Sequence, residues 1–152
     1  MIDVLAGMRP DSWNFPLFVH VLGATLAFGA VMAAVGTLLL TPGGGGDPEG
    51  LRRFAFRVLL FVGLPAYIVM RVGAQWIYDK ENLDAAPEDP TWVSIGFIVG
   101  DAGLVVFLLA LVLSGIALRR RHSGLGTAAG VLGAVLLVGM VIAVWAMGAK
   151  PS

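Results

Sequence analysis

Three ionisable residues, His20, Arg71 and Asp101, lie inside long apolar stretches of this sequence, where a charge is costly and so marks a functional candidate. An imidazole there can relay a proton, or ligate a metal or haem iron. An arginine and an aspartate can neutralise each other as an intramembrane ion pair, or orient a ligand, an anion or a proton path. Other polar residues accompany them at helical spacing. Tyr67, Arg71, Gln75 and Tyr78 recur every three or four positions and are expected to share one helix face; Ser94 and Asp101, seven apart, are expected to share another. His20 opens a stripe of small residues, Gly23, Ala24, Ala27, Ala30 and Ala34. Such a stripe lets a second helix approach closely, so the His20 ring is expected to point inward.

The heights of the three residues agree. At about 1.5 Å per residue, His20 lies roughly 10 Å along its helix from Trp13, Arg71 roughly 10 Å before Tyr78, and Asp101 roughly 13 Å after Trp92. The site expected at that level comprises His20, Arg71, Asp101, Tyr67 and Gln75, with His20 as the metal or haem-iron ligand and haem b or a small molecule as occupant. Met70, Met140 and Met147 are thioethers at a suitable depth for a second axial ligand, although methionines in such spans are usually packing residues. His122 falls toward the opposite membrane face, which excludes a bis-histidine site within one chain. Two other readings stay open. One is a structural or accessory subunit in which the trio only locks helices; the other is a small proton-coupled or anion carrier.

Membrane spans must position these residues. Of 152 residues, 58% are hydrophobic and 13% charged, against roughly one-quarter charged in soluble domains. The apolar residues arrive in blocks that match the roughly 20 residues needed to cross a hydrocarbon core about 30 Å thick. The pattern predicts one all-α domain, an antiparallel four-transmembrane-helix bundle with spans at about 13–40, 51–78, 91–118 and 124–147. Thr41 to Gly50, rich in glycine and proline, reads as a flexible connector, and Gly63-Leu64-Pro65 predicts a kink in the second span. Asp79 to Pro90 is an acidic loop, and the short link around Arg119-Arg120-Arg121-His122 makes the last two spans antiparallel.

Arg52, Arg53, Arg57, Arg119, Arg120 and Arg121 flank the first and third connections. The positive-inside rule makes those connections cytoplasmic, so both termini are expected outside the inner membrane of a bacterial host, with lipid headgroups around the arginines. The first dozen residues lack the build of a signal peptide. Gly126, Gly130 and Gly133 read as close-packing positions, either within the chain or toward a second copy or membrane partner. With no cysteine, the chain has no disulfide, thiolate metal site or thiol nucleophile. A formal net charge of zero provides no broad basic surface for nucleic acid. Phosphate-loop, Ser-His-Asp and HExxH patterns are missing, so hydrolytic and nucleotide chemistry are unsupported.

The stretch Phe18-Val19-His20-Val21-Leu22-Gly23-Ala24, followed by Ala27-Phe28-Gly29, resembles the first-helix pattern of copper-resistance-D-like domains and related four-helix bacterial membrane proteins. In those, a histidine early in the span precedes an aromatic and glycine element. His20 also matches the early histidine of protoporphyrinogen oxidases of the HemJ type. The resemblance covers this stretch and the four-span layout, and it implies metal or haem handling near the outer face with His20 as ligand.

Overall fold

The computed structural model describes residues 11–39, 47–82 and 90–149. Leu40, the glycine run of the first connector and most of the acidic loop lie outside them. A short 3₁₀ turn at Asp11–Trp13 leads into α1 (Asn14–Leu39); α2 (Pro48–Lys80), α3 (Thr91–Arg120) and α4 (Ser123–Ala149) follow. The helices have 26, 33, 30 and 27 residues, or about 39–50 Å at 1.5 Å per residue. Each exceeds the thickness of a hydrocarbon core. All four are apolar enough to cross a membrane, and there is no strand among the described residues. The chain is therefore an integral, multi-pass membrane protein of all-α, four-helix build, as its sequence predicts.

The helix ends follow from local chemistry. Asp47 caps α2 by accepting the Glu49 N–H at 3.0 Å, and Pro48 fills the first helical position, where its missing N–H is harmless. Asn82, at φ 48°, turns the chain out of α2. At the end of α3, Arg121 takes φ 52° and the His122 N–H reaches back 3.1 Å to the Ala117 carbonyl. The His122 ring then accepts the Leu125 N–H at 3.3 Å, capping α4. This histidine is thus used at the arginine end of the bundle, opposite His20.

The interruption expected at Gly63-Leu64-Pro65 takes the form of one π-helical turn, Leu59–Gly63, in which the Leu64 N–H bonds to the Leu59 carbonyl five residues back. Pro65 has no N–H to offer the carbonyl of Phe61, so the ladder slips by one residue and α2 continues.

The core runs along the bundle axis through Ala27, Val31 and Ala34 of α1, Leu59 and Tyr67 of α2, Phe107 and Leu111 of α3, and Leu136 and Met140 of α4. Tyr67 and Phe107 are fully buried, with ring centroids 5.3 Å apart. Large apolar side chains such as Phe18, Phe61, Ile98 and Val144 point outward, as a lipid solvent allows. The small residues of α4 are used inside the chain. Gly126, Gly130 and Gly133 are buried against α1, and a Cβ on Gly130 would lie 2.7 Å from a Leu39 methyl. Val35, Leu38 and Leu39 occupy this seam, so the glycines do not form the free docking face allowed for them in the sequence.

α1 packs closely along α2 and also contacts α4, while α3 packs along α4. α2 meets α3 tightly only in its first turns, at the arginine end. Toward the acidic end, where α1 begins and α2 stops, α2 and α3 part and leave a cleft.

Candidate functional site

The cleft begins at an unusually close helix crossing. A Cβ on Gly73 of α2 would lie 2.6 Å from the His20 backbone nitrogen, and one on Gly23 of α1 would collide with the backbone of Met70 and Ala66. Glycine at both positions lets α1 and α2 touch backbone to backbone. That contact brings the His20 ring to α2, with Nδ1 2.9 Å from the Met70 carbonyl. A carbonyl can only accept, so Nδ1 carries the hydrogen, and in the neutral ring Nε2 is left with the lone pair. A ring nitrogen held by a backbone carbonyl while the other remains available is the usual support for a metal-ligating histidine.

His20 stands between two adjoining cavities. One, of about 220 Å³, lies between α2 and α3 and is lined by Arg71, Tyr78, Glu81, Trp92 and Phe97 among others. The other, of about 340 Å³, reaches deeper along α4 past Tyr67 and Met140 and opens to the surface beside the exposed Val144. Both include His20, Met70, Gly96, Gly100 and Met147. The larger falls within the roughly 300–1,000 Å³ of small-molecule and cofactor pockets, and the smaller adjoins it. Missing side chains on α3 make room for two of the lining residues: a Cβ on Gly96 would come within 2.8 Å of the Met147 methyl, and one on Gly100 within 3.2 Å of the Arg71 chain.

Arg71 bridges the gap. Its stem passes over Gly100, its guanidinium lies 5.1 Å from the Phe97 ring centroid, and one terminal nitrogen donates to Asp101 at 2.5 Å. Tyr78 meets the same Phe97 ring edge-on at 5.3 Å. Tyr67, deeper and fully buried, donates its hydroxyl to the Gly100 carbonyl at 3.1 Å. These long side chains hold α2 to α3 where their backbones stand apart.

The five residues expected together are therefore divided. His20, Arg71 and Tyr67 line the cavities. Asp101 pairs with Arg71 but lines neither cavity, and its side chain is 63% exposed. Gln75 is also outside: it faces out and donates to Asp79 at 2.9 Å. A four-residue step overshoots a 3.6-residue turn by about 40°, so two steps from Tyr67 rotate Gln75 about 80° away from the buried face. The three-residue step to Tyr78 swings back toward the cleft.

Gly96, Gly100, Phe97 and Trp92 also form the site but were not singled out from the sequence. Gly96 and Gly100 are four apart, a small-xxx-small spacing that was available as a signal. Among the described residues, no three His, Cys, Asp or Glu side chains converge as a bare ion would need. The donors at the cleft include the His20 imidazole, the thioethers of Met70, Met140 and Met147, the hydroxyls of Tyr67 and Tyr78, and the Glu81 carboxylate. No family model, curated protein or solved structure matches this chain.

Proposed function

We propose that this chain is a haem-binding protein of the bacterial inner membrane, with both termini outside and the cleft in the outer half. The orientation rests on the six arginines at one end of the bundle. One observation carries the haem reading: the Met70 carbonyl fixes His20 through Nδ1, which leaves Nε2 for a cavity of organic-cofactor size. A haem brings four nitrogens of its own and asks the protein for only one or two axial ligands, so a lone imidazole suffices. When bound, it would supply an iron centre for electron transfer or ligand chemistry.

The chain's own residues have separable duties in this reading. His20 would hold the iron through Nε2, with the Met70 carbonyl fixing the ring's orientation. Arg71, on the cleft wall, uses one nitrogen for Asp101 and can direct further N–H donors at a haem propionate. Gly96 and Gly100 keep the α3 wall flat. Phe97, Tyr78 and Trp92 supply aromatic surface at the mouth of the cleft. The likeness of the His20 stretch to copper-resistance-D-like and HemJ-type proteins agrees with this assignment.

The visible spectrum of the full-length protein tests it. A Soret band is expected in the purified or haemin-reconstituted protein and is lost in His20→Ala. A colourless preparation that takes up no haemin rejects the proposal.

The ion pair that joins Arg71 of α2 to Asp101 of α3, with Asp101 outside both cavities, supports a second role as a lock between the two helices. That role is compatible with haem at the cleft and would suffice for an accessory subunit. Stability of the single and double leucine variants tests it.

A further inference from the structure

Resting on the haem reading, we infer that Met147 is the second axial ligand, so that the site is a His20/Met147 pair contributed by α1 and α4. Three residues common to both cavities carry donor side chains: His20, Met70 and Met147. Met70 lies on α2 directly at the His20 crossing, and its side chain is buried in the hydrophobic core. Met140, two turns deeper on α4, is 7% exposed and belongs to the same core; it lines only the deeper cavity.

Met147 differs on each count. It is 36% exposed, belongs to no core cluster, and extends its methyl group to Gly96 on the neighbouring helix α3. Gly96 has no side chain to block it: a Cβ there would stand 2.8 Å from the Met147 methyl. An unbranched thioether with three rotatable bonds can swing toward an iron without disturbing the backbone. His and Met together favour a six-coordinate iron of raised reduction potential, closed to dioxygen and suited to passing single electrons.

Ferric and ferrous spectra of the full-length, haemin-reconstituted protein decide the matter. The wild type should be low-spin and show the weak far-red band of methionine bound to ferric haem. Met147→Leu should lose that band, become high-spin and bind carbon monoxide when reduced. Met147→His should stay low-spin without the band, which restores six-coordination and shows that the position, not overall folding, is being read. Met32→Leu, exposed on α1 and outside both cavities, should keep the wild-type spectrum. A wild type that is high-spin and five-coordinate, with a Soret band lost in His20→Ala, overturns Met147 and keeps the haem reading. Retention of the far-red band in Met147→Leu also overturns Met147 alone. Failure of every variant and the wild type to take up haemin overturns both.

Discussion

Replacing Gly73 by alanine tests the crossing that holds His20 in place. The new methyl would lie 2.6 Å from the His20 nitrogen, 2.7 Å from its Cα and 2.9 Å from its Cβ, all fixed atoms that no rotamer change can move. Restoring ordinary contact at about 3.4 Å requires α1 and α2 to separate by about 0.8 Å. The same displacement would stretch the 2.9 Å bond from His20 to the Met70 carbonyl to about 3.7 Å, beyond hydrogen-bond range. Overpacking of this kind costs about 1–3 kcal/mol, and the lost hydrogen bond about 0.5–1.5 kcal/mol. The helix preference for alanine over glycine returns roughly 0.5–1 kcal/mol, leaving a net loss of about 0.5–4 kcal/mol. Reversible unfolding of the detergent-solubilised protein, followed by circular dichroism, provides the measurement. Gly29→Ala is the control, since a Cβ there meets nothing within 4 Å; it should be neutral or stabilising. Haemin affinity should fall in Gly73→Ala and hold in Gly29→Ala. Equal stability of the two variants would refute a backbone-tight crossing at Gly73.

Arg71→Leu and Asp101→Leu should each destabilise by about 1–3 kcal/mol, less than for a deeply buried pair because the Asp101 side chain is 63% exposed. The double leucine variant should recover most of that loss, and a double variant as unstable as the singles counts against mutual neutralisation. Tyr67→Phe removes the hydroxyl bond to Gly100 and should cost about 0.5–1.5 kcal/mol in the same unfolding assay while preserving the ring contact with Phe107. Gln75→Leu, outside the cleft, should change stability by less than about 0.5 kcal/mol and leave haemin titrations unchanged. A shifted titration would return Gln75 to the site.

The four helices were legible because a span of apolar residues has few other stable fates. The break near Pro65 was legible for a covalent reason, the missing N–H, but its form as a π turn depends on how the neighbouring carbonyls find new donors. At the site, the inward aim of His20 and the pairing of Arg71 with Asp101 followed from cost: neither group is cheaply left alone in lipid. Gln75 was misplaced because regular spacing was read as a straight stripe, whereas a helical stripe drifts around the axis. Gly96 and Gly100 were missed for a different reason. A glycine pattern reports that something approaches closely, and only the fold reveals whether that is a helix, a side chain or a cavity.

The two glycine seams make that distinction physical. On α4, Gly126, Gly130 and Gly133 face the end of α1 that offers Val35, Leu38 and Leu39, and these side chains fill the available space. On α3, Gly96 and Gly100 face the opposite half of the bundle, where Gly23 and Gly73 draw α1 against α2. A helix seated backbone to backbone on one neighbour presents little there to cover another. In that half α2 reaches α3 through the long side chains of Tyr67, Arg71 and Tyr78, and the cleft is what those chains span. The close crossing therefore has two effects at one level of the bundle. It aims an imidazole by its Nδ1, and by drawing α1 against α2 it leaves the space that His20 lines. Widening the crossing at Gly73 would release the ring as it closed the cavity, so ligand affinity and helix packing should fail together.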